Sequence, residues 1–444
     1  MERTCFVNAI MVNEGRAYEG ALRVEYGRIA AIGPQVTPRS GDRIVDCGGR
    51  YLLPGMIDDQ VHFREPGATH KGCIATESAA AVVGGVTSYM EMPNTAPPTL
   101  DDAAIDRKKA IAQRDSLANY AFYLGAANNN LEAVKAVDPR SVAGVKVFMG
   151  ASTGNMLVDD PEILRGIFAH APCLIATHCE DTPMIQGNLQ AAKAQFGDTI
   201  PAALHAEIRS REACWASSSL AIGLAKEFGS RLHVLHLTTA DEMAHFAAGD
   251  HRRKQITAEV CVHHLFFASD SYASLGTHLM CNPSVKHARD RQALRQALAS
   301  DVIDVIATDH APHTLLEKAR PYTRAPAGLP LVENVVPALL DLVADGVLDL
   351  PRMVQKTAHA VADCYQVVER GYLREGYWAD IIVVDPQALT IVDERPVRSR
   401  CAWTPFVGRR LRGRVDMTMV SGRMVYDHGQ LRRHVRGRPL VFDR

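Results

Sequence analysis

Short apolar runs, separated by longer stretches of helical character, recur through the middle of the chain, and five of them lead to a residue that can hold or activate a divalent metal. Met56-Ile57 leads to His62, Gly144-Val145 to Lys146, Cys173-Leu174-Ile175-Ala176 to His178, Leu232-His233-Val234-Leu235 to His236, and Val305-Ile306-Ala307 to Asp309. Leu-rich or β-branched runs alternating with helical stretches read as parallel strands of a βα repeat. Eight strand candidates end near His62, Met92, Leu124, Phe148, His178, His236, Val262 and Thr308. Helices fit the gaps: an Ala-rich stretch over 76–83 stopped by Gly84-Gly85, a segment capped by Thr99 and running to Arg114, and an amphipathic stretch over 210–228 ended by Gly229. The pattern predicts a (β/α)8 barrel, whose chemistry sits at the C-terminal ends of its strands.

Both chain ends have a different rhythm. Leu22-Arg23-Val24-Glu25 and Ile29-Ala30-Ala31-Ile32 flank Tyr26-Gly27-Arg28 as strand, turn and strand. Near the other end, residues 379–385 read as a buried strand and 417–426 as a second strand-turn-strand. The two β-rich ends are expected to pair into one small β-sandwich beside the barrel. The expected division is 1–53 and 371–444 for the small β domain and 54–370 for the catalytic barrel.

A chain of 444 residues, 47% hydrophobic, can bury a large core, and a barrel alone takes about 250 residues. A net charge of −1 provides no global field for nucleic acid or an anionic membrane. The basic stretch 432–438 reads as a solvated or subunit-facing edge. The opening Met1-Glu2-Arg3-Thr4-Cys5 lacks the apolar region of a secretory signal, and no apolar run is long enough to span a bilayer. Ten cysteines without a C-x-x-C pair indicate neither a disulfide framework nor a thiolate zinc site. Reduced thiols in a cytoplasmic enzyme with a small-molecule substrate are the expectation.

Alternate residues of a strand share a face, so Gln60 and His62 point together into the barrel mouth. A metal there would ideally meet two imidazoles; Gln60 takes the second place, and an amide oxygen is the weaker ligand. A lone strand-end histidine is usually a satisfied structural group, but five ligand-type residues in barrel order favour a site. Lys146, between β-branched residues in a core strand, either alternates outward and snorkels or has a depressed pKa that lets it capture carbon dioxide as a bridging carbamate. Asp309, beside Pro312 and two histidines, can cap the next helix, or can bind a metal and move a proton.

Several motifs together resemble the amidohydrolase superfamily and, within it, the dihydroorotases of the barrel-fold pyrimidine-pathway type. They are His62-Phe63-Arg64-Glu65-Pro66-Gly67, Glu91-Met92-Pro93-Asn94-Thr95, Gly144-Val145-Lys146-Val147-Phe148-Met149, His178-Cys179-Glu180, His236-Leu237-Thr238-Thr239, Cys281-Asn282-Pro283 and Thr308-Asp309-His310-Ala311-Pro312-His313. Glu375-Gly376-Tyr377-Trp378-Ala379-Asp380 resembles the family's small β domain. The resemblance implies a zinc-dependent hydrolase of cyclic amides, with one or two zinc ions held by His62, carbamylated Lys146, His178, His236 and Asp309. Gln60 departs from the family's paired histidines and is at most a weak ligand. Arg64, Asn94 and His313 would hold a substrate carboxylate and Asn282 the ring, with Asp309 as proton shuttle. An Arg fork suits a carboxylate, and relatives that open hydantoins or allantoin typically lack this Arg and Asn pairing. The rivals are an allantoinase- or hydantoinase-type enzyme and a catalytically silent assembly subunit. The resemblance also implies a homo-oligomer, a dimer or tetramer, able to associate with other pyrimidine-pathway enzymes.

Overall fold

A computed structural model describes residues 3–150, 156–395 and 397–444. The first five strands, β1 (Thr4–Asn13), β2 (Arg16–Glu25), β3 (Arg28–Gly33), β4 (Arg43–Asp46) and β5 (Tyr51–Pro54), precede the barrel. The barrel strands are β6 (Met56–Val61), β7 (Val86–Glu91), β8 (Asn119–Phe122) continued by β9 (Leu124–Gly125), β10 (Val145–Phe148), β11 (Ile175–His178), β12 (Leu232–Val234), β13 (Ile256–Cys261) and β14 (Val305–Ala307). Each ends within two residues of the position expected from the apolar runs. Neighbouring barrel strands pair in parallel. Val61 bridges His310 in parallel, and the His62 amide donates to the His310 carbonyl at 2.7 Å, which closes the ring between β14 and β6. The runs read as continuous apolar because helices cover the outer face while side chains fill the inside.

After the barrel come β15 (Ile381–Ile391), β16 (Arg410–Val420), β17 (Arg423–Asp427) and β18 (Gln430–Leu431). They join the N-terminal strands in one nine-stranded sheet, because β5 pairs in parallel with β1 and antiparallel with β15. Phe6, Met11, Leu22 and Val24 from one end share a core with Ile381, Val383, Met417 and Met419 from the other. The β2–β3 turn has φ of +53° at Tyr26 and +85° at Gly27, the mirror-image turn that suits strand twist. A side chain at Gly422, in the β16–β17 turn, would strike the Gly27 backbone, so the two hairpin tips touch.

Helices over Ile74–Val83 and Arg211–Phe228 match expectation; Ser210 caps the second through the Ala213 amide, and Gly229 ends it at φ +71°. The helix over Asp102–Asp115 is capped by Asp101, whose carboxylate accepts from the Ala104 amide, and not by Thr99. Thr99 is buried two residues earlier, where its carbonyl accepts from Gly125 at 2.8 Å. Across the barrel floor runs the segment 438–444: the Tyr120 amide donates to the Arg438 carbonyl, the Leu440 amide donates to the Tyr120 carbonyl, and Arg444 donates to the Ala143 and Tyr365 carbonyls. No helix among the described residues is long and apolar enough to cross a membrane. All ten cysteines are unpaired and buried.

Candidate active site

At the C-terminal ends of the barrel strands lies a pocket of about 180 Å³. Gln60, His62, Arg64, Asn94, Lys146, His178, His236, Asn282, Asp309 and His313 all line it. Strand geometry brings them together: Gln60 and His62 share one face of the first barrel strand, Lys146 projects inward from β10, His178 closes β11, and His236 and Asp309 follow β12 and β14. Arg64, His236 and Asp309 have φ of +68°, +37° and +50°, a strained backbone for residues with a side chain, which is tolerated where the surroundings fix it.

The imidazoles are held in defined orientations. His178 Nε2 lies 2.8 Å from Glu180 Oε2, and Glu180 in turn accepts from Arg209 Nε and Nη2. Burial alone would raise the Glu180 pKa, but Arg209 and His178 bring it below the usual range. That carboxylate fixes the proton on Nε2 and leaves the Nδ1 lone pair facing His236 Nε2 at 3.0 Å. His62 is fixed the same way: Nδ1 lies 2.8 Å from Asn94 Oδ1, and Nε2 lies 3.1 Å from Asp309 Oδ1. Burial pushes all three imidazoles down in pKa, against the pull of Asp309 on His62 and of Glu180 on His178. They are neutral and able to donate lone pairs.

Lys146 is fully buried, and its Nζ makes no hydrogen bond, lying 4.5 Å from the centre of the Phe148 ring. It does not snorkel. Burial brings its pKa down to about 7, so that much of it is a free amine near neutrality. A partnerless amine among neutral imidazoles and one carboxylate is a donor set that fits divalent metal, provided the amine is converted to an acceptor. His62, Lys146, His178, His236 and Asp309 can hold such an ion. Gln60 is oriented otherwise: Nε2 donates to Asp309 Oδ1 at 3.2 Å, which turns Oε1 toward Cys261 Sγ, 3.7 Å away.

On the opposite wall, Arg64 lies with Nη2 3.0 Å from His313 Nε2 and donates Nε–H to the Pro312 carbonyl. Lys71 donates to His313 Nδ1 at 3.1 Å, and burial with these two cations keeps His313 neutral. Asn282 Oδ1 is buried without a partner. This wall is cationic and polar, suited to a small anion. Of the two histidines flanking Pro312, only His313 lines the pocket; His310 turns away to Glu77, 2.8 Å off.

Supporting residues escaped the sequence reading. Asp58 accepts from the Thr308 hydroxyl and amide, tying the first barrel strand to the last. Glu259 accepts from the His236 amide and, with Asp59, flanks the buried His233. The Glu180 role was open to detection from its place two residues after His178; Arg209 carried no local signal.

The amidohydrolase family pattern matches residues 51–425. A dihydroorotase of Halobacterium salinarum is 35% identical over 410 residues, 91% of this chain and 93% of that one. A dihydroorotase of Carboxydothermus hydrogenoformans is 32% identical, covering 94% and 96% of the two chains. Among solved structures, an L-hydantoinase (dihydropyrimidinase) from Arthrobacter aurescens superposes with a TM-score of 0.93 at 27% identity, over 99% of this chain and 100% of that one.

Proposed function

The chain belongs to the amidohydrolase family, on its dihydroorotase branch, and from that premise we propose that it interconverts (S)-dihydroorotate and N-carbamoyl-L-aspartate in pyrimidine synthesis. The observation that carries the substrate assignment is Arg64, a half-buried guanidinium in the wall of the pocket beside Asn94 and His313. A hydantoin or allantoin ring bears no carboxylate to satisfy it, whereas dihydroorotate does.

One or two zinc ions held by His62, Lys146, His178, His236 and Asp309 would supply Lewis acidity, polarising the ring amide and acidifying water. The Lys146 amine attacks carbon dioxide, forms an N–C bond and releases one proton, becoming an anionic oxygen donor. Arg64 and Asn94 seat the substrate carboxylate, and Asn282 Oδ1 accepts a ring N–H, which orients the ring across the pocket floor. Asp309, the one carboxylate among the described lining residues, takes the proton of the attacking water and returns it to the departing ring nitrogen. The reading includes a cytoplasmic homo-oligomer, a dimer or tetramer that can associate with other pyrimidine-pathway enzymes. Exposed Trp215, Leu220 and Leu316 support further contacts.

The test is a dihydroorotate hydrolysis assay run beside metal analysis, with hydantoin and allantoin as comparison substrates. Metal-dependent ring opening of dihydroorotate well above the other two is expected. Metal-loaded protein that leaves dihydroorotate intact overturns the assignment.

A further inference from the structure

The end of β13 and the short helix Val262–Phe266 that follows it carry a second group of metal-ligand side chains, separate from those assigned above. Cys261, His263 and His264 are each buried, and the Cys261 sulfur and a ring nitrogen from each histidine lie within 4.8 Å of one another. His263 has the Thr308 carbonyl beside its ring but no well-formed hydrogen bond at either nitrogen, and Nδ1 of His264 is without a partner. His264 Nε2 lies 3.2 Å from the Pro283 carbonyl, so this nitrogen carries the proton and Nδ1 has a bare lone pair. A carbonyl accepting from one imidazole nitrogen is the usual support for a metal on the other. Ordinary core histidines have their polar atoms satisfied; each of these leaves a ring nitrogen unused in a dry interior.

We propose that Cys261, His263 and His264 form a buried site for a soft divalent cation of the zinc type, with the Gln60 amide oxygen as fourth ligand. Zinc bonds of about 2.3 Å to sulfur and about 2.1 Å to nitrogen separate tetrahedral ligand atoms by roughly 3.5 Å. The sulfur and the two imidazole nitrogens need draw together by little more than about 1 Å to reach that spacing. Gln60 Oε1 already stands 3.7 Å from Cys261 Sγ, directed there because its Nε2 donates to Asp309. One thiolate, two neutral imidazoles and an amide oxygen form a donor set that selects zinc over hard cations. Binding exchanges the Cys261 thiol proton for the metal and releases it to solvent. The net positive charge left on the ion is faced by Glu259, whose Oε1 is 3.7 Å from the sulfur. On this reading Gln60 is no impaired copy of a catalytic ligand. It belongs to both centres, amide nitrogen on Asp309 and amide oxygen on the second ion.

The proposal does not depend on the substrate assignment, and its test needs no turnover. X-ray absorption at the zinc edge of the zinc-loaded protein is expected to show a sulfur shell at about 2.3 Å. Nitrogen and oxygen scatterers alone would overturn the site. In the cobalt-substituted protein a sulfur-to-cobalt charge-transfer band is expected. Cys261→Ser should abolish it and lower the metal content by one ion per chain, and Cys179→Ser, beside His178, should leave it. A band that survives Cys261→Ser, or that vanishes with Cys179→Ser, refutes the assignment. His263→Gln, which spares the thiol, should also lose one ion. Failure to open dihydroorotate, with the sulfur shell intact, would count against the catalytic reading alone.

Discussion

Glu180→Gln separates the two roles that the structure gives this residue. The carboxylate is fully buried, meets Arg209 at 2.6 and 2.9 Å, and receives the His178 Nε2 proton at 2.8 Å. A neutral amide leaves the guanidinium facing no charge, and breaking a buried pair from one side costs about 3–5 kcal/mol. The Arg209 side chain keeps 13% of its surface in water, and Gln retains one acceptor, so a loss near the lower bound, about 3 kcal/mol, is expected. The second effect concerns metal. Without a charged acceptor the proton is free to move to Nδ1, the nitrogen that faces His236, and losing such an outer partner lowers metal affinity about 10–100-fold. Urea unfolding of metal-free protein measures the first effect; zinc competition against a chromophoric chelator measures the second. A variant that is destabilised as expected yet binds zinc within about twofold of the parent refutes the tautomer argument and reduces Glu180 to a structural ion pair.

Arg64→Ala should raise KM and lower kcat/KM by about 2–3 kcal/mol, the scale of a lost charged hydrogen-bonding group, with metal content unchanged; loss of metal with KM intact would place Arg64 elsewhere in the mechanism. Lys146→Met should abolish turnover while stabilising the metal-free protein by about 1–3 kcal/mol, because it removes a buried, partnerless amine. Denaturation midpoints of metal-free parent and variant check this, and a destabilised variant contradicts it. His205 sits neutral between the Tyr322 hydroxyl and the Cys281 carbonyl, and burial with Arg209 nearby brings its pKa down to about 3 from the ordinary 6.5. The unfolded chain therefore takes up this proton first. The stability involved is fully present above about pH 6.5 and drains as pH falls toward 3, by at most about 5 kcal/mol. His205→Gln should flatten the slope of unfolding free energy between those limits by about 1.4 kcal/mol per pH unit, and identical slopes would show that His205 does not titrate on unfolding.

The barrel was legible because each parallel strand is covered on both faces, so its apolar run stands out, and because the metal-ligand types fall at the ends of those runs. What stayed hidden depends on partners far away in sequence. Lys108 reads as a solvated lysine on a charged helix, yet it is buried against Glu91 at 2.7 Å and the Met92 carbonyl. Asp58 and Thr308 meet only once the ring closes, and Glu180 meets Arg209 only when the chain between β11 and β12 folds back over the strand ends. Thr99 and Asp101 are both good capping residues two positions apart, and the choice between them is set by Thr99 burying itself against the third barrel strand. The stretch 438–444 has neither helical nor strand periodicity that would announce it as the barrel floor. Gln60 was visible as the odd residue of its motif, but the direction of its amide follows from Asp309 on one side and Cys261 on the other.

The pairing of β5 with β15 has a consequence for the order in which the molecule can be completed. On the ribosome, β1 to β5 emerge before the barrel, and β5 then presents an unpaired edge until residues 381–391 arrive. At roughly 5–20 residues per second the intervening barrel takes from about a quarter of a minute to about a minute to synthesise. For that interval the nascent chain carries a half-built sheet whose edge can recruit strands from another copy. Newly made protein is thus most vulnerable to aggregation before its catalytic barrel is finished. Raising the elongation rate, or supplying 371–444 as a separate chain during translation, should shorten that exposure and increase the soluble yield.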